Sequence, residues 1–259
     1  MDLFWLKLFL SFIVGGAYIA FSTWVSERFG TKIGGLLIGL PSTALISLVF
    51  MSWTQSPLVA VAAIPIIPVV LSIDAVFIVL FVKLLDRGIK TAFISAALFW
   101  FVISLPLVVL GFNNLLASLL LAALFFLAAL FFIRNFPEKK ATGFKLSKKE
   151  FLLRAFLSGS VVAVSVFLGK VLGPLWGGLF AAFPAAMSAS LLILAKRHGA
   201  VFASSSAKPM IFGAIANVVF VTGFFFLVPT KGLLFGLLCA YLLALIFALG
   251  AYKLVLHKI

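Results

Sequence analysis

The 259-residue chain is 65% apolar, has a mean hydropathy of +1.33 and carries charge on only 10% of its residues. A soluble domain is about 45–50% apolar, so this composition excludes a soluble globular protein and points to one integral to a membrane. The net charge of +14 reads as basic loop residues facing the cytoplasm, not as a nucleic-acid surface.

The first residues, MDLFWLKLFLSFIVGG, lack a basic leader and a small-residue cleavage site close behind, so they read as a retained span rather than a removed signal peptide. With that span, the chain holds nine segments that approach the ~20 apolar residues a membrane-crossing helix needs. They run roughly over 4–25, 33–53, 58–84, 91–110, 113–133, 151–169, 175–195, 209–228 and 232–256. The third is interrupted by Pro65 and Pro68, which predicts a kinked extension with the span proper starting near Ile64. The stretch RNFPEKKATGFKLSKKE, 134–150, is the only long polar connection. It reads as a basic cytoplasmic linker near anionic headgroups.

Alternate connections divide the basic residues unevenly. Arg28, Lys32, Lys83, Arg87, Lys90, Arg134, Lys139, Lys140, Lys145, Lys148, Lys149, Arg154, Lys196, Arg197, Lys208, Lys253 and Lys258 fall on one side, and Lys7, Lys170 and Lys231 on the other. This predicts an N-terminus outside and a C-terminus in the cytoplasm of the cell (inner or plasma) membrane.

The chain also repeats itself. GGLLIGLPSTALISL, from Gly34 to Leu48, recurs as GGLFAAFPAAMSASL, from Gly177 to Leu191, so that adding 143 to a number in the first copy lands on its counterpart. Upstream the same shift pairs Leu10 with Leu153, Gly16 with Gly159, Ala20 with Ala163, Ser22 with Ser165 and Gly30 with Gly173. Downstream it pairs Asp74 with Asn217, Val76 with Val219 and Phe77 with Phe220. Segments one to four pair with six to nine, five crossings further on. An odd number of crossings predicts copies that lie upside down relative to one another, an arrangement typical of secondary transporters. The expected organisation is a four-helix repeat over 1–110, a linking helix over 111–133, the basic loop over 134–150 and a second four-helix repeat over 151–259.

Within this frame a few residues carry chemistry. Pro41 lies about eight residues into segment two, roughly 12 Å deep at about 1.5 Å per residue, and Pro184 holds the matching place in segment seven. A mid-span proline opens a helix. The second half-helix then starts with free N–H groups, beside Ser42 and Thr43, and two such ends near the midplane would make an anion or polar-group site. The plainer reading is a kink packed through glycines; in the second copy Ala185 and Ala186 stand where the first has Ser42 and Thr43.

Asp74 is the one acid well inside an apolar run. An ionised carboxylate there costs about 2.5–3.5 kcal/mol on insertion scales, so such a residue faces a cavity or a partner. With the amide Asn217 opposite, it reads as a proton or cation site; the alternative is a structural hydrogen bond to a freed carbonyl or to Ser72. Glu27 and Arg28 read as a solvated pair, Asn113 and Asn114 as turn residues, and Trp5, Trp53 and Trp176 as interfacial anchors. Cys239 is the single cysteine, which excludes an intrachain disulfide. His198 reads as a loop residue and His257 as a residue of the C-terminal end, and neither has metal-ligand spacing. No zincin, phosphate-loop or nucleophile-elbow motif occurs, and no enzyme, metal or cofactor is expected.

Residues 34–45, GGLLIGLPSTAL, followed by Asp86 and Arg87, resemble the GlpM family of small bacterial inner-membrane proteins of about four spans. The likeness covers about the first 110 residues and recurs in degraded form over 150–256. It implies a four-span unit that, present singly, would pair as an antiparallel dimer.

The expectation is therefore an all-α polytopic membrane protein of about nine helices. It would act as a secondary transporter or as a flippase for a lipid or small solute, with Asp74, Asn217, Pro41, Ser42, Thr43 and Pro184 at the substrate or ion site. Membrane lipids and an unidentified ion, small molecule or lipid are its expected partners, nucleic acid is not, and a homo-oligomer is compatible. The alternative is a non-transporting accessory subunit for envelope polysaccharide or lipid assembly.

Overall fold

The computed structural model describes residues 3–26, 30–134, 136 and 147–253. The Glu27–Arg28 pair, His257 and most of the basic linker lie outside the described residues. Twelve α-helices follow in order: α1 Leu3–Ser26, α2 Gly30–Gly39, α3 Thr43–Thr54, α4 Pro57–Ala62, α5 Ile67–Lys83, α6 Ile89–Val109, α7 Leu115–Ile133, α8 Lys148–Val171, α9 Pro174–Ala181, α10 Ala185–His198, α11 Ala200–Lys231 and α12 Leu233–Ala251. Among the described residues they form nine stretches long and apolar enough to cross a membrane, with α2–α3, α4–α5 and α9–α10 each making one stretch. The protein is an all-α polytopic membrane protein.

Local chemistry sets the helix ends. Ser56 precedes Pro57 at the start of α4 and its side chain accepts from the Val59 N–H. Asn114 does the same for Ala117 in α7 at 2.9 Å. Ser147 and Glu150 close a capping box on α8. Each satisfies N–H groups that a helix leaves without partners in its first turn.

The peripheral helices turn small side chains inward and large ones outward. In α12 the buried positions are Gly236, Ala240, Ala244, Ala248 and Ala251, while Leu234, Phe235, Leu238, Leu242, Ile246 and Leu249 are exposed. In α7 the buried face is Ser118, Ala122, Phe126, Ala129 and Ile133, and the exposed one is Leu116, Leu120, Leu124, Leu127 and Phe131. Lipid gives leucine no reason to hide, so close approach through small residues decides which face packs.

At the centre lie α5 and α11. Nearly all of α5 is buried, and its start is tied to α7 by a 3.0 Å bond from the Val69 N–H to Ser118 Oγ. The kink expected in segment three is a 3-10 turn at Ile64–Ile66, at Pro65.

Helix α8 runs antiparallel to its sequence counterpart α1. A Cβ on Gly16 would lie 2.9 Å from the Ala155 carbonyl oxygen, and one on Gly159 would lie 2.5 Å from that of Phe12. Gly16 and Gly159 are a matched pair under the shift of 143, and so are Phe12 and Ala155, so the crossing is reciprocal. At the end of the same pair, Lys170 Nζ sits 3.7 Å from the centre of the Phe4 ring.

Three expectations need correction. Segment eight does not start at 209: α11 begins at Ala200 and carries Lys208 within the helix, not in a loop. Its polar start, VFASSSAK, is helical because Ser205 and Ser206 donate to the Val201 and Phe202 carbonyls one turn back. Arg154, counted among the solvated basic residues, is 2% exposed inside α8. His198 is the last residue of α10, not a loop residue, and stacks on Phe202 with ring centres 4.6 Å apart.

Candidate functional site

Segments two and seven are both broken at their prolines, and in the same way. The Ser42 N–H donates to the Leu40 carbonyl at 2.7 Å, and the Ala185 N–H donates to that of Phe183 at 2.8 Å. Each is a three-residue turn centred on proline, Pro41 in one and Pro184 in the other. Pro184 has φ −78° and ψ 44°, close to an inverse γ-turn. Tight packing holds the breaks in place. A Cβ on Gly39, the last residue of α2, would lie 2.5 Å from the Met210 carbonyl oxygen and 2.7 Å from Gly213 Cα of α11. Gly178 of α9 abuts the Ala63 carbonyl oxygen in the same fashion.

The two breaks face one cavity. Leu40, Ser42 and Thr43 line it from the first, Phe183, Pro184 and Ala186 from the second, and Asp74 and Asn217 from α5 and α11. Five of the six residues singled out from the sequence therefore line one space, and the sixth, Pro41, is buried in the turn beside it. The cavity measures about 10 Å³, close to the minimum for a single water.

Asp74 is 0% exposed. Its Oδ1 accepts a 2.7 Å bond from Trp100 Nε1 of α6. Its partner is not Ser72, whose hydroxyl donates to the Val69 carbonyl instead. Asp74 Oδ2 has no hydrogen-bond partner, and neither has Asn217 Oδ1. Two buried acceptor oxygens on one small cavity can take a proton, a water or a cation. Leaving buried acceptors bare costs about 1–3 kcal/mol each, which favours an occupant. Trp100 also meets Phe183 edge-on, with ring centres 5.0 Å apart, so it links Asp74 to the second break.

Two neighbouring cavities adjoin this one. Ile19, Ser22, Leu37, Ile38, Ser42, Arg154 and Ala186 line a second of about 10 Å³. A larger one of about 150 Å³ lies between α1, α2 and α12, lined by Tyr18, Phe21, Ser22, Val25, Leu37, Leu40, Ser42 and Tyr241. Ser42 borders all three. Tyr18 and Tyr241 hydroxyls meet at 3.0 Å across the larger cavity.

Sequence reasoning missed Trp100 and Arg154. Both had a signal. Trp100 is a tryptophan in the middle of segment four, away from the span ends where the indole ring is at home. Arg154 stands four residues inside an apolar segment, where an arginine is costly.

Residues 151–257, which take in most of α8 and all of α9 to α12, match a family described as a protein of unknown function (DUF3147). No curated protein and no solved structure matches the chain. The likeness of residues 34–45 to the GlpM family has no counterpart among these matches.

Proposed function

We propose that the chain is a secondary transporter built on two inverted four-helix repeats joined by α7, with substrate or ion bound where the two broken segments meet. The observation that carries this reading is the single cavity shared by both proline breaks, Asp74 and Asn217. Broken helices that meet inside the bundle, with an intramembrane acid between them, are what transporter sites are made of. The antiparallel, glycine-matched crossing of α1 and α8 and the twin turns at Pro41 and Pro184 support the inverted relation. In this reading the C-terminus faces the cytoplasm, the side to which the rule for basic loop residues assigns most of the lysines and arginines.

In this reading Asp74 is the coupling group. A proton or cation on Oδ2 neutralises the cavity; its loss leaves a charge that the Trp100 N–H alone must hold. A cavity of about 10 Å³ is far smaller than the ~300–1,000 Å³ of a ligand pocket, so this is a closed form. Substrate enters when the half-helices separate. No reaction chemistry is assigned to the site.

The test is mass spectrometry of small molecules and lipids that co-purify with the wild type and with Asp74→Asn. A species enriched on the wild type and lost from an equally well-folded variant supports the reading. Identical, bulk-like lipid on both favours the accessory-subunit alternative.

A further inference from the structure

The proposed site explains Asp74 but leaves Arg154 unused. Arg154 is among the largest fully buried side chains of the protein, 2% exposed on α8. It lines the small cavity with Ser22 and Ser42. Ser42 is 7% exposed and stands at the N-terminus of the 12-residue helix α3, yet its hydroxyl makes no capping bond. It is free to face the cavity. A guanidinium and two hydroxyls around one space form a donor set suited to a tetrahedral oxyanion.

The larger cavity shares Ser22, Leu37 and Ser42 with this space, and its remaining lining is aromatic and aliphatic. Phe21, on its rim, is 62% exposed, so the cavity reaches the lipid-facing surface between α1 and α12. Polar donors at its inner end and an apolar trough leading outward match an amphipathic molecule entering sideways from the bilayer.

We infer that Arg154, Ser22 and Ser42 bind the phosphate group of an amphipathic anion, whose apolar portion lies in the cavity bounded by Tyr18, Phe21 and Tyr241. The inference rests on the transporter reading and names its substrate class. Arg154 recognises the head group, while Asp74 in the adjoining cavity supplies the coupling. The shared chemistry is a phosphate ester or phosphate ion. A phospholipid and free phosphate are the two sources the experiment separates.

The experiment measures ligand-induced stabilisation of the full chain in detergent, with dioctanoyl phosphatidylglycerol, dioctanoylglycerol and inorganic phosphate as probes. The expected result is binding of the phosphatidylglycerol, none of the phosphate-free dioctanoylglycerol, and weaker binding of inorganic phosphate. Arg154→Gln should weaken phosphatidylglycerol binding at least tenfold and Arg154→Lys less. Should Arg154→Gln not fold, the pair Ser22→Ala and Ser42→Ala carries the test, with a loss of threefold or more each. Unchanged affinity in folded Arg154 or serine variants overturns the inference, as does equal binding of dioctanoylglycerol. Inorganic phosphate that binds as tightly as the phospholipid, with the same dependence on Arg154, overturns the lipid source and leaves the phosphate site. Asp74→Asn, measured beside them, tests the transporter reading separately: an Asp74→Asn protein that still binds phosphatidylglycerol while Arg154→Gln does not removes Asp74 from the substrate site and leaves the phosphate site standing.

Discussion

Trp100 Nε1 donates to Asp74 Oδ1 at 2.7 Å, joining α6 to α5 across a fully buried pair. This bond engages one carboxylate oxygen and leaves the other, Oδ2, without a partner, on a residue that lines the cavity between the helix breaks. The pair holds α6 to α5 and, in the proposed reading, positions the coupling group, and the two roles can be separated.

Trp100→Phe keeps the ring and removes the N–H. It leaves Asp74 Oδ1 buried without a donor, a loss of about 1–3 kcal/mol. Thermal unfolding in detergent should show a lower midpoint for Trp100→Phe. Asp74→Leu combined with Trp100→Phe should recover much of that loss, because neither buried polar group then lacks a partner. A double variant less stable than the single would remove the bond from the account of stability.

The α1–α8 crossing depends on its matched glycines. Gly159→Ala brings a Cβ to 2.5 Å from the Phe12 carbonyl oxygen, a backbone atom that cannot swing away. Overpacking of this kind costs typically about 1–3 kcal/mol. Gly250→Ala is the control. It lies in α12 with nothing within 4 Å of the new Cβ, and helix propensity alone predicts a gain of up to about 1 kcal/mol. Unfolding midpoints moving in opposite directions would bear this out; equal midpoints would contradict the close crossing.

Glu150 is tied twice, to Ser147 through the capping box and to Arg197 at 2.7 Å. Glu150→Gln keeps an acceptor for the box and drops the charge. Because Arg197 and Glu150 side chains are 37% and 22% exposed, solvent screening keeps the ion pair to about 0–1 kcal/mol. Ser147→Ala removes the cap, a loss of about 1 kcal/mol. Raising the salt concentration should narrow the difference between wild type and Glu150→Gln but leave the Ser147→Ala difference unchanged.

Much of the fold was legible because lipid imposes a simple rule on length and composition. Among the described residues all nine apolar segments reappear within a few residues, except the eighth; the expected end of the ninth, at 256, lies outside them. There the serines at 204–206 looked like loop; the structure satisfies Ser205 and Ser206 within the helix, so the polar run continues α11. The residues of the candidate site were legible for a different reason. Proline and an isolated acid stand out against an apolar background, and the shift of 143 showed which positions to compare. What apolar composition hides is which span touches which. Nothing in segment four alone pairs Trp100 with Asp74. Arg154 was counted by its charge with the loop that precedes it, though its position inside segment six argued for burial.

The most direct test of the central claim needs no known substrate. Ser42 borders all three cavities, and Cys239 is the only native cysteine. In a Cys239→Ala background, Ser42→Cys is treated with a membrane-impermeant thiol reagent in right-side-out and in inside-out vesicles. A transporter that opens the helix breaks alternately to each side predicts labelling in both preparations, with the control lacking Ser42→Cys silent. Labelling from one side only, or from neither in a folded protein, would contradict the account.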